Sequence, residues 1–218
     1  MFSGIAHIIS PLNAAWCGWT MLFLFLCAIL GEYMQPGIIT KSGSSLVARV
    51  DRMYKEAPTN YLGQTLIALF RIGTLAMALC LCFYENGRFS FVTFAAMCGL
   101  IIAVLLVKML CNQLIDYTFM LSRRFAMVYE HYANIATVAI CVLYPCLLVV
   151  LRIGNPVVGQ WILGIATVLF VLMWIYRAVR TFIVSPVSLL YLTLYICALE
   201  LLPLAALFYI SQKMMSVL

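Results

Sequence analysis

The chain has 218 residues, of which 66% are hydrophobic and only 9% charged, and its formal net charge is +6. Soluble globular domains carry roughly 25% charged residues, so this chain has too few charges to cover a water-exposed surface of its size. A hydrocarbon solvent removes that requirement. The composition therefore excludes an ordinary soluble domain and predicts a membrane protein.

A helix that crosses a bilayer needs about 20 mostly apolar residues, and six stretches of the chain qualify. Their predicted bounds are 12–31, 62–84, 91–111, 133–151, 157–176 and 187–211. The first stretch has no Lys or Arg before it and no A-x-A site after it, so it is expected to remain as a span rather than to be removed as a signal. We therefore predict an all-α polytopic transmembrane helix bundle with about six spans, forming a single domain over 1–218.

The longest predicted connection is a cytoplasmic loop at residues 32–60. Inside it, residues 44–57 are typical of a short amphipathic helix, with a possible cap at Ser44 and a stop at Pro58. Such a basic helix usually lies among lipid headgroups. A packing connector and a partner-binding element both remain open for it. Residues 112–132 contain no Gly or Pro, which indicates that the third helix continues past the membrane before it turns.

The distribution of basic residues predicts the orientation. The first, third and fifth loops hold eight Lys and Arg residues, whereas the other loops and the tail hold three, at Arg88, Arg152 and Lys213. Positive residues concentrate on the cytoplasmic side of a membrane protein. Both termini are therefore expected outside, and the net positive charge is explained by anionic headgroups rather than by nucleic acid.

Two charged residues fall near the centres of predicted spans, Arg71 in the second and Glu200 in the sixth. A charge at the bilayer centre costs roughly 2.5–3.5 kcal/mol on insertion scales, so each needs a partner, water or, for Glu, a proton. In the predicted topology the two residues lie at about the same depth. Either they pair inside the bundle, or each meets other polar groups separately. Pro203, three residues after Glu200, predicts a bend beside the acid.

Small and weakly polar residues recur at helical spacing and predict inward-facing stripes. On the second span, Gln64 and Thr74 share the face of Arg71. Stripes on other spans are formed by Asn134, Thr137, Cys141 and Tyr144 on the fourth, by Gln160, Gly164 and Thr167 on the fifth, and by Asn13, Cys17 and Thr20 on the first. Ordinary helix packing in lipid selects the same residue types, so close packing and a transport path both remain open.

Four further residues are expected at the membrane–water interface. They are Lys108, Asp116, Glu130 and His131. Lys108 lies at the cytoplasmic end of the third span, where its side chain can reach toward the headgroups. The adjacent Glu130 and His131 are interpreted as an interfacial contact rather than a metal site.

No catalytic motif occurs in the sequence. It contains no H-E-x-x-H, P-loop or G-x-S-x-G sequence, and no pair of acids at metal-ligand spacing. The nine cysteines lie in or beside apolar runs without a C-x-x-C pair, which favours packing residues over a disulfide framework or a zinc site. No catalytic residue, metal or cofactor is therefore expected.

The stretch Y-L-T-L-Y-I-C-A-L-E-L-L-P at residues 191–203 resembles the ending of a family of multi-pass inner-membrane proteins of Bacteroidota. That family carries only a domain-of-unknown-function label. The run of spans from about residue 60 onward is similar as well. The resemblance implies a Gram-negative inner membrane and makes Glu200 and Pro203 family features, but it implies no activity.

Three functional classes are compatible with these features. The first is a non-enzymatic subunit or assembly factor of a larger inner-membrane complex, which fits the small size and the missing catalytic motifs. The second is a small proton- or ion-coupled transporter or channel that uses Arg71 and Glu200. The third is a lipid-modifying enzyme, for which only the intramembrane charges speak. The expected partners are the lipid bilayer and other inner-membrane proteins or further copies of the chain.

Overall fold

A computed structural model describes residues 15–37, 39, 60–82, 90–119, 122–153, 161–162, 164–169, 171–173 and 202–217. Five α-helices are complete enough to be bounded: α1 (Ala15–Met34), α2 (Tyr61–Cys82), α3 (Phe91–Phe119), α4 (Ser122–Ile153) and α5 (Leu202–Val217). Those parts of the chain contain no strand. The all-α prediction is therefore confirmed.

Four helices are long and apolar enough to cross a membrane, over Trp16–Met34, Tyr61–Cys82, Phe91–Cys111 and Asn134–Arg152. These stretches coincide with the first four predicted spans. Of the predicted fifth span, a shorter apolar helix is described at Gly164–Met173. Of the sixth, α5 covers the second half and continues past residue 211. The amphipathic helix expected at residues 44–57 lies outside the described residues.

Helix α1 packs most extensively on α2, and the two helices run antiparallel. Near one end, a side chain added at Gly31 would meet Ile67 Cδ1 at 2.7 Å and the Gly63 carbonyl oxygen at 3.4 Å. Further along, a side chain at Gly73 would overlap Leu24. The missing side chains let the two backbones approach closely, as is usual for helix pairs in lipid.

Asn60 joins the end of α1 to the start of α2. Its side-chain Nδ2 donates a hydrogen bond to the Met34 carbonyl oxygen at 3.1 Å, and its Oδ1 accepts one from the Leu62 N–H at 3.2 Å. The second bond satisfies a backbone donor that the first turn of a helix leaves free. One residue thus caps α2 and ties it to α1.

The other end of the bundle brings α1 and α3 together. The Trp16 ring lies 6.0 Å from Phe91 and 6.2 Å from Phe94, measured between ring centroids. Ser90 caps α3, because its Oγ accepts the Val92 N–H at 3.0 Å. Helix α3 therefore starts level with α1 and runs parallel to it. We call this end the Trp16 end, and the opposite one the Met34 end.

Helices α3 and α4 are longer than a bilayer is thick. With 29 and 32 residues, they measure about 43 and 48 Å, against a hydrocarbon core of about 30 Å. Their apolar windows stop at Cys111 and resume at Asn134. The intervening stretch, the α3–α4 connector (residues 112–133), is helical over residues 112–119 and 122–133. The continuation of the third helix beyond the apolar window agrees with the sequence.

The buried core lies between α1, α2, the first half of α3 and the second half of α4. The outward faces of these helices are apolar as well: Phe23, Leu106 and Val142 are 57%, 56% and 62% exposed. An apolar core inside an apolar surface is what a lipid-embedded bundle presents. Polar side chains within the bundle are therefore exceptions to its apolar composition.

Candidate functional site: an intramembrane polar centre

Arg71 lies on α2 ten residues after Tyr61, or about 15 Å along the helix axis from its start. Its side chain is half-buried, and its Nε donates a hydrogen bond to the Ile67 carbonyl oxygen at 3.4 Å. This bond reaches back one turn, so the guanidinium is directed toward the Met34 end. It is not the only interaction that Arg71 makes.

Glu32 lies in the last turn of α1, inside the apolar stretch that is long enough to span the membrane. Its two carboxylate oxygens accept backbone hydrogen bonds from the Gly37 N–H at 2.8 Å and the Ile39 N–H at 2.9 Å. Gly37 has a φ of 86°, a conformation that favours glycine. The carboxylate therefore holds the chain in the tight turn that follows α1.

Cys141 on α4 connects these two charges. Its thiol lies within electrostatic range of both the Glu32 carboxylate and the Arg71 guanidinium, which act on it with opposite signs. Three helices thus contribute an acid, a guanidinium and a thiol to the half of the bundle nearer the Met34 end. We call Glu32, Arg71 and Cys141 the polar centre.

The stripe predicted on α4 flanks this centre. Thr137 is buried and Asn134 half-buried one and two turns before Cys141, and both take part in polar or ring contacts. On the other side, the Tyr144 hydroxyl donates a hydrogen bond to the Met21 carbonyl oxygen at 2.9 Å. The Tyr144 ring stacks on Phe25 at 6.2 Å between centroids and lies 5.5 Å from Phe70. Tyr144 therefore fixes α4 against both α1 and α2.

The stripe predicted around Arg71 contains one buried and one exposed residue. Thr74 is fully buried, and its hydroxyl donates to the Phe70 carbonyl oxygen at 2.7 Å within the same helix. Gln64 is exposed, and so is Thr167 on the partly described fifth span. Gln160 and Glu200 lie outside the described residues, and the Arg71–Glu200 pair stays a prediction. Pro203 is half-buried in the first described turn of α5.

The four interfacial residues stay predictions. Lys108 is 9% exposed and has an interaction partner. The backbones of Asp116, Glu130 and His131 lie in the α3–α4 connector, and their side chains lie outside the described residues.

Sequence reasoning missed Glu32. The residue follows Gly31, where the first predicted span was ended, and it was therefore assigned to the loop. The usable signal is the sequence of residues 32–37, in which an acid precedes a Pro-Gly turn by four residues. An acid at this spacing can accept the backbone donors of the turn.

The cysteines on the described part of the chain, eight in number, are all free thiols. Within the same residues, no three His, Cys, Asp or Glu side chains are grouped so that they could hold a metal ion. The polar centre itself contains one acid, one guanidinium and one thiol. Its chemistry is that of charge compensation in a low dielectric, where the permanent charge of an Arg is offset by an acid or by hydrogen bonds to neighbouring polar groups.

Comparison with protein families gives a match over most of the chain. A family model described as a domain of unknown function (DUF4271) covers residues 18–210. No curated protein and no solved structure matches the chain. The matched region includes the polar centre and the α3–α4 connector.

Proposed function

We propose that this chain, which belongs to the DUF4271 family of domains of unknown function, is a non-enzymatic subunit or assembly factor of a larger membrane complex. The observation that carries the proposal is the α3–α4 connector, which continues two membrane helices beyond their apolar windows. A protein that only needed to cross the bilayer could turn at the headgroups. The additional helical length offers a rigid surface outside the membrane.

The composition of the connector suits a protein partner. Its sequence combines charges of both signs with five aromatic residues, at positions 117, 119, 125, 129 and 132. Aromatic residues and Arg are enriched at protein–protein interfaces. Helices α3 and α4 also make few contacts with each other over their described lengths.

The proposed location is a bacterial inner membrane, with the connector in the cytoplasm and both termini in the periplasm. The connector includes Arg123 and Arg124, and the opposite end of α4 carries Arg152 alone. The bias of Lys and Arg toward the cytoplasmic side supports this orientation. The C-terminal pattern at residues 191–203 supports the Gram-negative assignment.

Site-specific photocrosslinking in the native host tests the partner proposal. A photoreactive amino acid is placed at each of positions 115–118, which samples every face of the helix, and at Tyr209, an exposed position on α5. We expect a discrete crosslinked protein from at least one connector position and none from Tyr209. The double change Arg123→Glu with Arg124→Glu should abolish the crosslink, and Arg152→Glu should leave it intact.

Two results would count against this function. One is a chain that leaves the membrane alone and monodisperse in a gentle detergent, without any connector crosslink. The other is a crosslink that survives the Arg123→Glu, Arg124→Glu change at unaltered protein level.

The polar centre favours a second candidate, a small proton- or ion-coupled transporter. Intramembrane ionisable residues mark ion paths in many transporters, and here an acid and a guanidinium both act on one thiol between three helices. In this candidate Arg71 compensates an acid that loads and releases a proton. The acid is Glu32 or Glu200.

Proton flux into proteoliposomes, followed with an internal pH dye, tests this candidate. Arg71→Ala and one of the two changes Glu32→Gln and Glu200→Gln should abolish flux while leaving the protein folded. Gln64→Ala, at an exposed position on the same helix as Arg71, should not. The exchange Arg71→Glu with Glu200→Arg tests pairing of these two residues, since a direct pair should recover in the double variant. Flux equal to that of empty vesicles in the native protein would exclude the transporter.

A further inference from the structure

A second set of buried side chains lies toward the Trp16 end and consists of sulfur groups. On α1, Cys17 is 0% and Met21 4% exposed, and on α2, Met77 and Cys80 are both 0% exposed. Spacings of four and three residues put each pair on one face of its helix. The exposed large apolar side chains of the described residues, in contrast, are mainly aliphatic and aromatic. Sulfur is thus concentrated inside the bundle.

The register of α1 and α2 brings these two pairs level. Leu24 meets Gly73, and Gly31 meets Gly63 and Ile67. Counting outward along the antiparallel helices from Leu24 and Gly73, Met21 comes level with Ala76 and Met77, and Cys17 with Cys80. All four residues belong to one buried cluster.

Cys80 is the central member of this group. Its thiol lies within electrostatic range of Cys17 on α1 and of Cys98 on α3. Met97, beside Cys98, is also fully buried and belongs to the same cluster. Buried thiols and thioethers from three helices therefore belong to one cluster.

The chemistry of these ligands is specific. Thiolate and thioether sulfur select soft metal ions, Cu(I) above all, whereas Mg, Ca and Mn prefer oxygen. A membrane interior also penalises net charge. One thiolate and two neutral thioethers around Cu(I) give a complex with no net charge. A site with several thiolates would carry a negative charge into the hydrocarbon layer.

We propose that the Cys80 thiolate, with the thioethers of Met77 and Met21, forms a Cu(I) site between α1 and α2, flanked by Cys17. Binding forms three Cu–S bonds and releases the Cys80 thiol proton to solvent, with no change in the oxidation state of the metal. The affinity should therefore fall as the pH is lowered. The site is independent of the partner proposed for the α3–α4 connector.

Titration of the purified chain in detergent with Cu(I), under anaerobic reducing conditions and against a chromophoric Cu(I) chelator, measures the site. We expect one tightly held Cu(I) per chain. Cys80→Ser should weaken binding by more than the roughly 10–100-fold that is typical when a residue outside the ligand shell is changed. Met77→Leu and Met21→Leu should also weaken it, and because these changes nearly conserve volume the variants should fold.

Two matched controls change sulfur-containing side chains outside the proposed site. Cys27→Ser changes a buried thiol of α1 near the middle of the helix, and Met109→Leu changes an exposed thioether of α3. Both variants should bind Cu(I) like the native chain. X-ray absorption of the loaded protein should show sulfur as the only ligand type, and this signal should be lost in Cys80→Ser.

The proposal is overturned if the native chain holds no more Cu(I) than Cys80→Ser, or if Met77→Leu and Met21→Leu bind as tightly as Met109→Leu. In either case the sulfur groups serve packing alone. Equally tight binding of Zn(II) would also contradict a soft, thioether-containing site.

Discussion

At the scale of single residues, close contact between α1 and α2 depends on positions that lack a side chain. A Cβ at Gly73 would overlap the Leu24 side chain, which is 3% exposed and has little room to move. A Cβ at Gly31 would press on Ile67, which is fully buried. Gly18 and Gly99 have no atom within 4 Å of such a Cβ. Gly31 and Gly73 should therefore not tolerate a larger side chain, whereas Gly18 and Gly99 should.

Gly73→Ala should destabilise the bundle by about 1–3 kcal/mol, the usual cost of overfilling a packed core. Thermal unfolding in detergent measures the loss, with Gly99→Ala as the neutral control. The double variant Gly73→Ala with Leu24→Ala should lose less than the sum of the two single changes, because the clash is removed with the leucine. Additive losses would place the strain elsewhere.

Tyr144→Phe should cost roughly 0.6–1.7 kcal/mol, from the average to the largest value measured for hydrogen bonds between membrane helices. The change removes the donor to the Met21 carbonyl oxygen and keeps the ring contacts with Phe25 and Phe70. Tyr144→Ala should cost several times more, because it also removes those ring contacts. Unfolding in mixed micelles compares the two, and equal losses would show that the rings contribute nothing.

At the scale of elements, hydropathy shows which part of a helix suits the bilayer, but it does not show where the helix begins and ends. The apolar windows in α3 and α4 were predictable because the bilayer requires them. The ends of these helices were less predictable. A helix continues wherever no Gly, Pro or cap stops it, and a polar sequence gives no hydropathy signal. For α3 the absence of Gly and Pro indicated a continuation. Helix α4 begins at Ser122, eleven residues before the predicted bound at 133, because its polar first turns carry no hydropathy signal.

Cysteine accessibility can test the extension of α3. Gln113 is exposed and lies just past the apolar window, whereas Gly99 is exposed within it. Gln113→Cys should react with a membrane-impermeant maleimide in inside-out vesicles, and Gly99→Cys should not. Labelling of Gln113→Cys in right-side-out vesicles only would place the connector outside the cell.

The candidate site could be predicted only in part. Arg71, Thr137 and Tyr144 were predictable, because a polar residue in an apolar helix must find a partner and the helical period shows which residues share its face. Glu32 was not, since its role depends on backbone donors of a turn that a linear pattern does not place.

At the scale of the whole molecule, the described helices form a bundle whose inside and outside are both apolar. Orientation must then come from the few charges, which are concentrated at the Met34 end and in the α3–α4 connector. On the opposite side, the sequence has Arg88 between α2 and α3 and Arg152 at the end of α4. The two ends differ by only a few basic residues, so the orientation should be sensitive to substitution of these residues.

A periplasmically active phosphatase fused after Leu218 should be active, and a green fluorescent protein fused there should be dark. The reverse pattern is expected for fusions within the loop at residues 41–59. Fusions at both places that report the same side would contradict an even number of spans with both termini outside. Moving basic residues from the loop to the opposite side should weaken or invert the pattern.

The bond between Asn60 and the Met34 carbonyl oxygen has a consequence for how the chain tolerates insertions. It fixes the two ends of the first loop beside each other, whatever sequence lies between them. The entropy of closing a flexible loop grows only logarithmically, by about 0.6 kcal/mol for each doubling of its length. Substantial lengthening of this loop therefore adds little strain to the helices, which makes it the natural place to graft an affinity tag or a crystallisation partner.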